Sequence, residues 1–451
     1  MFAILAIVFG ACNENDDIPE IIKLDGELAG GSTTVFMNNS LAFSTPAPNL
    51  AGARLDKHLD GDAAFEVIFV SHPAQIHGGL GPIFNNSSCV ACHPSDGRSA
   101  FPQNLNAESG FFLRVSLPGS GEHNAPVPVP GFGTQLQHQA IFGVEKEAAI
   151  DVRYEEIKRT FDDGTVVTLQ KPVYSIKNSY EQVPADILIS PRIGMPVFGL
   201  GLLEAVSEQD ILAHADEFDS DNDDISGKPN YVWDPVSAST KLGRFGWKAS
   251  TPGVLVQSAG AYHQDMGLTS SIFPDESSLG QTNTDTMYSD IEVSDRDLED
   301  VTFYVQTLGV PAARNLDDEQ VIRGKKIFEQ ISCHACHVES FTTGVLEGVP
   351  EVSNQLIFPY TDMLLHDMGD DLADNRPAFQ ANGKEWKTRP LWGIGLTSVV
   401  NGHTRFLHDG RAKNITEAIL WHGGEAEQSR NDFMKLSEEE RDALIKFINS
   451  I

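Results

Sequence analysis

Two stretches of the same form, Cys89-Val90-Ala91-Cys92-His93 and Cys333-His334-Ala335-Cys336-His337, decide how this chain is built. Together they use four of the five cysteines in 451 residues, so chance repetition is a poor explanation. In a Cys-x-x-Cys-His pentapeptide the two thiols attach a haem and the histidine ligates its iron. The sequence therefore predicts two covalently bound haems c, with His93 and His337 as iron ligands.

Two other uses of paired cysteines fit less well. In a zinc site made of four cysteines the two pairs lie about 15 to 20 residues apart, whereas Cys92 and Cys333 are separated by most of the chain. A pair of thioredoxin-like dithiols would leave the histidine after each pair unexplained.

The fifth cysteine follows a short apolar run. Residues Phe2 to Ala11 are too few to span a bilayer, and they end in small residues directly before Cys12. This pattern is typical of a bacterial lipoprotein signal, in which Cys12 is lipidated after cleavage and Asn13 to Glu20 form a polar tether. A plain cleaved signal peptide is the alternative. We expect an exported protein of the periplasm or cell envelope, attached to the membrane through its lipid only.

The formal net charge of -32 bears on the choice of partners. Phosphate repulsion would oppose association with nucleic acid, so we expect no nucleic-acid partner. A basic electron donor would be attracted, although solubility of an exported protein accounts for the same charge.

An internal repeat relates the two halves of the chain. Pro196-Val197-Phe198-Gly199-Leu200-Gly201-Leu202 corresponds to Pro390-Leu391-Trp392-Gly393-Ile394-Gly395-Leu396. Each half also ends in a predicted helix with apolar residues at helical spacing, Ser294 to Leu308 in the first and Ser437 to Ile451 in the second. Ser437 begins its helix with a capping box completed by Glu440.

The first half contains two insertions, because its segments between these landmarks are each about 50 residues longer than those of the second. Val152 to Tyr154 and Thr165 to Leu169 flank Asp162-Asp163-Gly164, which predicts a β-hairpin in the first insertion. We expect a mainly α protein of two cytochrome-c-like haem domains, the first of them enlarged. The predicted boundaries are a signal and tether at 1–25, an N-terminal haem domain at 26–310 and a C-terminal haem domain at 311–451.

Four further segments carry a resemblance to a known family. They are Gly79-Leu80-Gly81-Pro82-Ile83-Phe84-Asn85, Gly243-Arg244-Phe245-Gly246-Trp247-Lys248-Ala249, Leu364-Leu365-His366-Asp367-Met368-Gly369 and Phe406-Leu407-His408-Asp409-Gly410-Arg411-Ala412. From about Leu55 to its C-terminus the chain resembles the di-haem oxidoreductases, which are related to bacterial di-haem cytochrome c peroxidases.

The resemblance implies a division of labour between the two haems. The N-terminal haem would accept hydrogen peroxide or another oxidant, and the C-terminal haem would pass on electrons from an external donor such as a small cytochrome or a cupredoxin. The alternative is a di-haem electron carrier with no substrate of its own. Insertions confined to one half favour the enzyme, because a gated pocket needs extra loops. An enzyme that modifies another protein is a third possibility.

The resemblance also implies a second axial ligand for the C-terminal haem, at His422. A helix that begins at Asn414 would place His422 on the same face as Ile415 and Ile419. The alternatives are a core histidine bonded to a backbone carbonyl and, as ligand, Met368. A haem with two histidine ligands would be a weaker oxidant than one with histidine and methionine.

For the N-terminal haem, relatives place a catalytic Glu downstream of a Gln-Ala step. Gln139-Ala140 followed by Glu145 and Glu147 resembles that arrangement, and Glu147 is the predicted acid–base residue. Gln137 and Gln139 are candidate catalytic residues with it, and Gln137 and His138 flank the same site. His138 is an alternative sixth ligand that would keep the iron closed until reduction.

Oxygen ligands recur at alternate positions between residues 219 and 227. Asp219, Asp221 and Asp223 predict a calcium site, since a calcium loop supplies carboxylates at this spacing. Asp224 stands where an EF-hand has glycine, so the complete motif is absent. The alternative is a solvated acidic turn.

Overall fold

A computed structural model describes residues 23–284 and 291–451. Cys12, the predicted lipidation site, and the apolar run before it lie outside these ranges, so lipid attachment stays a prediction. Within the ranges that the structure describes, the helices are too short or too polar to cross a bilayer.

The helices are mostly short, and the longest have 13 residues. Their bounds are Ala53–Phe65 (α1), Cys89–Cys92 (α2), Leu200–Ala205 (α3), Glu208–Leu212 (α4), Val254–Met266 (α5), Asp295–Thr307 (α6), Glu319–Gln330 (α7), Thr397–Asn401 (α8), Ile415–Leu420 (α9), Glu427–Lys435 (α10) and Glu438–Ser450 (α11).

The strands form several small sheets rather than one large one. They are Thr34–Val35 (β1), Ile83–Phe84 (β2), Phe111–Ser116 (β3), Gln135–Leu136 (β4), Gln139–Ala140 (β5), Ala149–Thr160 (β6), Val166–Lys177 (β7), Leu188–Ile193 (β8), Tyr231–Asp234 (β9), Ser239–Leu242 (β10), Val310–Pro311 (β11), Phe341–Thr342 (β12), Leu356–Ile357 (β13), Leu365–Asp367 (β14) and Glu385–Lys387 (β15). β3 pairs with β4 and β8, and each of the other strands has one partner.

The prediction of a mainly α protein built from two cytochrome-c-like domains is wrong. Helices account for 28% of the structure and strands for 19%, and the predicted domain type is not shown. Many strands have only two residues and pair with distant segments, as β2 does with β5, so no local alternation of apolar and polar residues marks them. The domain boundaries at 310 and 311 stay a prediction.

Corresponding helix pairs confirm the internal repeat. α1 packs on α6 in the first half, and α7 packs on α11 in the second. In each pair a glycine allows close approach, because an added Cβ would lie 2.7 Å from Tyr304 Cβ at Gly61 and 2.6 Å from Phe447 Cβ at Gly324. The predicted terminal helices are confirmed, with side-chain caps from Ser294 and Ser437 and the capping box completed by Glu440.

The two Pro-to-Leu repeat segments contact each other. Gly199 and Gly393 adopt nearly equal positive φ angles of 71° and 70°. A Cβ on Gly199 would lie 2.5 Å from the Trp392 ring, and a Cβ on Gly393 would lie 2.8 Å from the Phe198 ring. Each segment therefore supplies the aromatic residue that covers the glycine of the other.

The β-hairpin predicted in the first insertion is confirmed as β6 and β7, which pair over 12 residues each. Its tip packs on the second half of the chain. The Phe161 ring lies 5.7 Å from that of Phe433, and Asp163 forms a 2.6 Å ion pair with Arg441. An insertion in one half thus becomes part of the core of the other.

Candidate haem centres

The second Cys-x-x-Cys-His motif opens onto a large cavity between the two halves. Cys333, Cys336 and His337 line it, and the predicted ligands His422 and Met368 line it from later segments. Much of the remaining wall is apolar and aromatic, as a porphyrin requires. Its members from both halves include Phe198, Leu203, Trp247, Phe328, Trp386, Trp392, Ile394, Ile415 and Ile419. The residues present therefore fit a haem.

Two histidines in this cavity are oriented in the same way. His337 Nδ1 lies 3.0 Å from the Tyr360 carbonyl oxygen, and His422 Nδ1 lies 2.7 Å from the Ala418 carbonyl oxygen. A carbonyl accepts from a protonated Nδ1, so Nε2 of each ring keeps its lone pair for a metal. Burial lowers the pKa of both imidazoles, to about 4 for His337, which also favours the neutral ligand form.

His422 does not lie within a helix, although the predicted start of that helix at Asn414 is confirmed. α9 ends at Leu420, and His422 follows in the turn. Its carbonyl oxygen accepts a 3.0 Å hydrogen bond from Arg430. The carbonyl contact of its ring agrees with a ligand and also with a core histidine, so ligation stays a prediction.

A charged network adjoins Cys336. His366 Nε2 lies 2.7 Å from Asp362 and its Nδ1 lies 2.6 Å from Glu425. Burial opposes charge on this imidazole, but Cys336 and the carboxylate Asp362 outweigh it and hold the pKa of His366 well above its ordinary value. Glu425 also accepts hydrogen bonds from the backbone N–H and the hydroxyl of Ser226. These bonds join the acidic loop of residues 219–227 to this centre.

Three of the four segments that carry the family resemblance line the same cavity, and the fourth, residues 79–85, contacts α5 beside the first motif. Lys248 is buried and pairs with Asp374 at 2.8 Å, while Arg411 pairs with Asp409 at 2.9 Å. His408 lines the cavity and stacks on Trp386, with 4.0 Å between ring centres.

The first motif is packed against α5. Burial raises the pKa of the Cys89 thiol to about 12, as it does for Cys333, so neither cysteine is a reactive thiolate. His93 Nδ1 lies 2.6 Å from the Met195 carbonyl oxygen, the same arrangement as in the second centre. The rings of Phe65 and His93 lie 6.3 Å apart, and those of Phe328 and His337 lie 6.2 Å apart.

Glu147 is fully buried, as few carboxyl groups are. Its carboxylate accepts from the backbone N–H of Gln137, and its other oxygen lies 2.8 Å from the amide nitrogen of Gln281 once that amide is oriented to suit its neighbours. Burial raises the pKa of Glu147 well above its ordinary value.

The other two candidate catalytic residues, Gln137 and Gln139, form hydrogen bonds with different partners. The Gln137 side chain donates to the Gln264 carbonyl oxygen at 2.7 Å, at the end of α5. Gln139 donates to the Asn106 carbonyl oxygen at 2.9 Å. Gln137 and Glu147 are therefore brought together, and Gln139 is held apart from them.

His138 contacts the segment just before the first motif. Its Nδ1 lies 2.8 Å from the amide nitrogen of Asn85, four residues before Cys89. Its Nε2 is buried without a hydrogen-bond partner among the described residues. Burial lowers the pKa of His138 to about 4, so the ring is neutral.

Sequence reasoning missed the part that α5 plays in this centre. Its residue Asp265 accepts from Gln135 at 2.6 Å, and its backbone oxygen accepts from Asn85 and Asn86 just before the motif. Tyr262 of the same helix contacts Cys89. The only sequence signal for this role of α5 was the polar pair Gln264-Asp265 at the end of an apolar helix.

The predicted calcium ligands converge. One oxygen from each of Asp219, Asp221 and Asp223 lies within 4.8 Å of the others. Asp219 is half-buried, and its carboxylate also accepts from the backbone of Asp223 and Asp224.

The site is thus that of a protein with two separate Cys/His centres, the second of which lines a cavity whose residues fit a haem. Residues 23–451 match the family described as "di-haem oxidoreductase, putative peroxidase", and the chain belongs to that family. The resemblance drawn from the sequence is confirmed. Comparison with curated proteins and with solved structures gave no match.

Proposed function

We propose that the protein is a peroxidase with two covalently attached haems of the c type. Bound haem iron would supply the redox chemistry, and the chain holds it and controls access to it. The residues that would hold the first haem are Cys89, Cys92 and His93, and those that would hold the second are Cys333, Cys336, His337 and His422. Haem colour retained after denaturation in acid would support the covalent links, and its extraction into organic solvent would exclude them.

The contrast between the two centres carries the proposal. The second has two histidines with Nδ1 held by carbonyl oxygens, which suits a six-coordinate iron that only passes electrons. Near the first, a buried carboxyl group, Glu147, is held by the backbone N–H of Gln137, whose side chain bonds to α5, the helix that contacts Cys89. We assign hydrogen peroxide or another oxidant to the first centre, and an external donor such as a small cytochrome or cupredoxin to the second.

Glu147 would move the proton. Cleavage of the O–O bond requires a group that takes a proton from one oxygen and returns it to the other. A carboxyl group whose pKa burial raises well above its ordinary value can hold a proton and release it, whereas an exposed Glu would be fully ionised. The short contact with the Gln137 N–H fixes its position.

The test compares Glu147→Gln with Glu145→Gln, a matched change two residues away at an exposed position. Peroxide turnover by the purified protein should fall at least 100-fold in E147Q and stay near wild type in E145Q, because general acid–base groups contribute about 10² to 10⁴ in rate. Both haem spectra should remain as in the wild type. Full activity of E147Q would exclude Glu147 from the proton transfer.

A second candidate function has its own observation. His138 lies beside the first motif with its Nε2 buried, and it would become the sixth ligand of the first iron once Nε2 gives up the proton that the Asn85 amide, by donating to Nδ1, assigns to it. Two six-coordinate haems would make the protein an electron carrier. Spectra of the semi-reduced protein distinguish the two, since a high-spin component that peroxide consumes supports the peroxidase and its absence supports the carrier.

We also propose that Asp219, Asp221 and Asp223 bind calcium. The convergence of three carboxylates supports it, because a bound cation would offset their mutual repulsion. Calcium at 100 times its Kd should stabilise the protein by about 2.7 kcal/mol. Thermal unfolding after chelation, with calcium added back, measures this gain, and Asp221→Asn should remove it. An unchanged melting temperature in the wild type would contradict calcium binding.

A further inference from the structure

Two arginines from different halves of the chain face the cavity of the second centre. Arg98 follows the first motif by five residues, and Arg389 directly precedes the second repeat segment. Both line the cavity that contains His337 and His422. Their guanidinium carbons lie 5.7 Å and 5.3 Å from the centre of the Trp247 ring, so the two cations are brought to the same aromatic side chain.

Neither arginine has an acidic partner in the described part of the chain. Nε and Nη1 of Arg98 and Nε of Arg389 are buried without hydrogen-bond acceptors there. Burial lowers the pKa of Arg98 to about 10, and burial together with Arg98 lowers that of Arg389 to about 9. A buried guanidinium that is neither paired nor hydrated is costly, so buried cations normally have an anion.

Neighbouring buried cations show how the chain supplies an anion where one is needed. Lys248 and Arg192 share Asp374, and Arg411 is held by Asp409. Lys387, a third cation in the cavity wall, donates to the Arg244 carbonyl oxygen at 2.6 Å. Arg192 also has one buried nitrogen without an acceptor, but it shares a carboxylate; Arg98 and Arg389 differ from these cations in having no carboxylate partner among the described residues.

We infer that Arg98 and Arg389 bind the two propionate carboxylates of the haem attached at Cys333 and Cys336. This rests on the proposed function, since it takes that haem as the occupant of the cavity. A haem carries its only two negative groups on one edge, and guanidinium groups bind carboxylates through paired hydrogen bonds. The remaining cavity wall is mostly apolar, which suits the rest of the ring.

The arrangement has a redox consequence. A positive charge near the porphyrin disfavours the ferric state, so each arginine raises the reduction potential of the second haem. Since Arg98 comes from the first half and Arg389 from the second, one haem edge would also join the two halves.

The experiment uses the full-length, haem-loaded protein with Arg98→Gln and Arg389→Gln. Arg98→Lys and Arg389→Lys keep the charge, and Arg314→Gln removes an arginine whose donors meet the backbone oxygens of Ala312 and Asn449. Two quantities are measured: the propionate bending band in the resonance Raman spectrum and the midpoint potential of the low-spin haem.

Each Gln variant should shift the Raman band. It should also lower the midpoint potential of the low-spin haem by about 59 mV, which at a fixed potential lowers the ratio of ferrous to ferric haem about tenfold for one electron. The Lys variants should shift the band with little change of potential, and R314Q should change neither. Wild-type bands and potentials in haem-loaded R98Q and R389Q would overturn the assignment and leave the proposed function intact. If the Gln variants lose their haem, the Lys variants decide, because an unshifted band in them overturns the assignment. A wild-type protein without haem would overturn the proposed function itself.

Discussion

His422 is the single residue on which the assignment of the second centre depends most. Its ring is held by the Ala418 carbonyl oxygen and lines the same cavity as His337. The lowered pKa of both histidines reflects burial in a wall that excludes water. Two neutral imidazoles thus line one cavity, and we expect both to ligate one iron.

Replacing His422 by Ala should convert one of the two haems from low spin to high spin, because the iron loses its sixth ligand. Absorption and electron paramagnetic resonance spectra measure the change. The control is His58→Gln, since His58 is buried against Thr307 and lies outside the cavity wall. An unaltered spectrum in H422A would remove His422 as a ligand and return attention to Met368.

At this scale the sequence predicted the residues whose chemistry is local. Both Cys-x-x-Cys-His motifs can be read without a fold, and the histidine beside them follows from the spacing. Arg98 and Arg389 could not be found in this way, because they are identified by having no carboxylate partner among the residues that the structure describes. The same holds for Gln139, which the sequence grouped with Glu147 and the structure places against Asn106.

Helix packing in each half depends on a glycine at the crossing point. A Cβ on Gly61 would collide with the backbone of Asp300 in α6, and one on Gly324 would collide with the backbone of Ala443 in α11. The backbone of a helix cannot move aside as a flexible side chain can. The glycine is therefore required by the approach of the helices.

Gly61→Ala should destabilise the protein by about 1–3 kcal/mol, the usual cost of overpacking. Gly260→Ala is the matched control, since Gly260 lies within α5 with nothing near its missing Cβ. There the better helix propensity of Ala should stabilise by about 0.5–1 kcal/mol. Chemical denaturation measures both changes, and equal effects at the two positions would show that α1 and α6 are not in close contact.

Elements with strong local signals were predicted well. The β6–β7 hairpin follows from Asp163-Gly164 between two β-branched runs, and the terminal helices follow from their serine caps. The partner of the hairpin was not predictable, because nothing in its sequence indicates that Phe161 packs on Phe433. Short strands such as β2 and β5 carry no periodic signal, which is why the helical content was overestimated.

In the molecule as a whole, the reciprocal contact of the two repeat segments holds the halves together. Gly199→Ala and Gly393→Ala should each destabilise more than Gly402→Ala, which has the same positive φ of 71° and open space around it. The αL conformation costs about 1–2 kcal/mol at all three positions, and the collision with Trp392 or Phe198 adds to it at two.

The double variant provides a further measure. Residues in contact do not contribute independently, so the loss in G199A/G393A should differ from the sum of the single losses by about 0.5–3 kcal/mol. Thermal unfolding of the four proteins gives this coupling. Strict additivity, or a G402A variant as unstable as the other two, would argue that the segments do not share an interface.

Because each repeat segment packs against the other, the sequence of one segment cannot change independently of the sequence of the other. A larger residue accepted in place of Gly199 demands a smaller ring at position 392, and the reverse holds for Gly393 and position 198. Descendants of a duplicated ancestor would then retain matched changes in the two segments, even while the loops around them diverge in length. The surviving similarity of these two short segments is what such mutual restraint would leave behind.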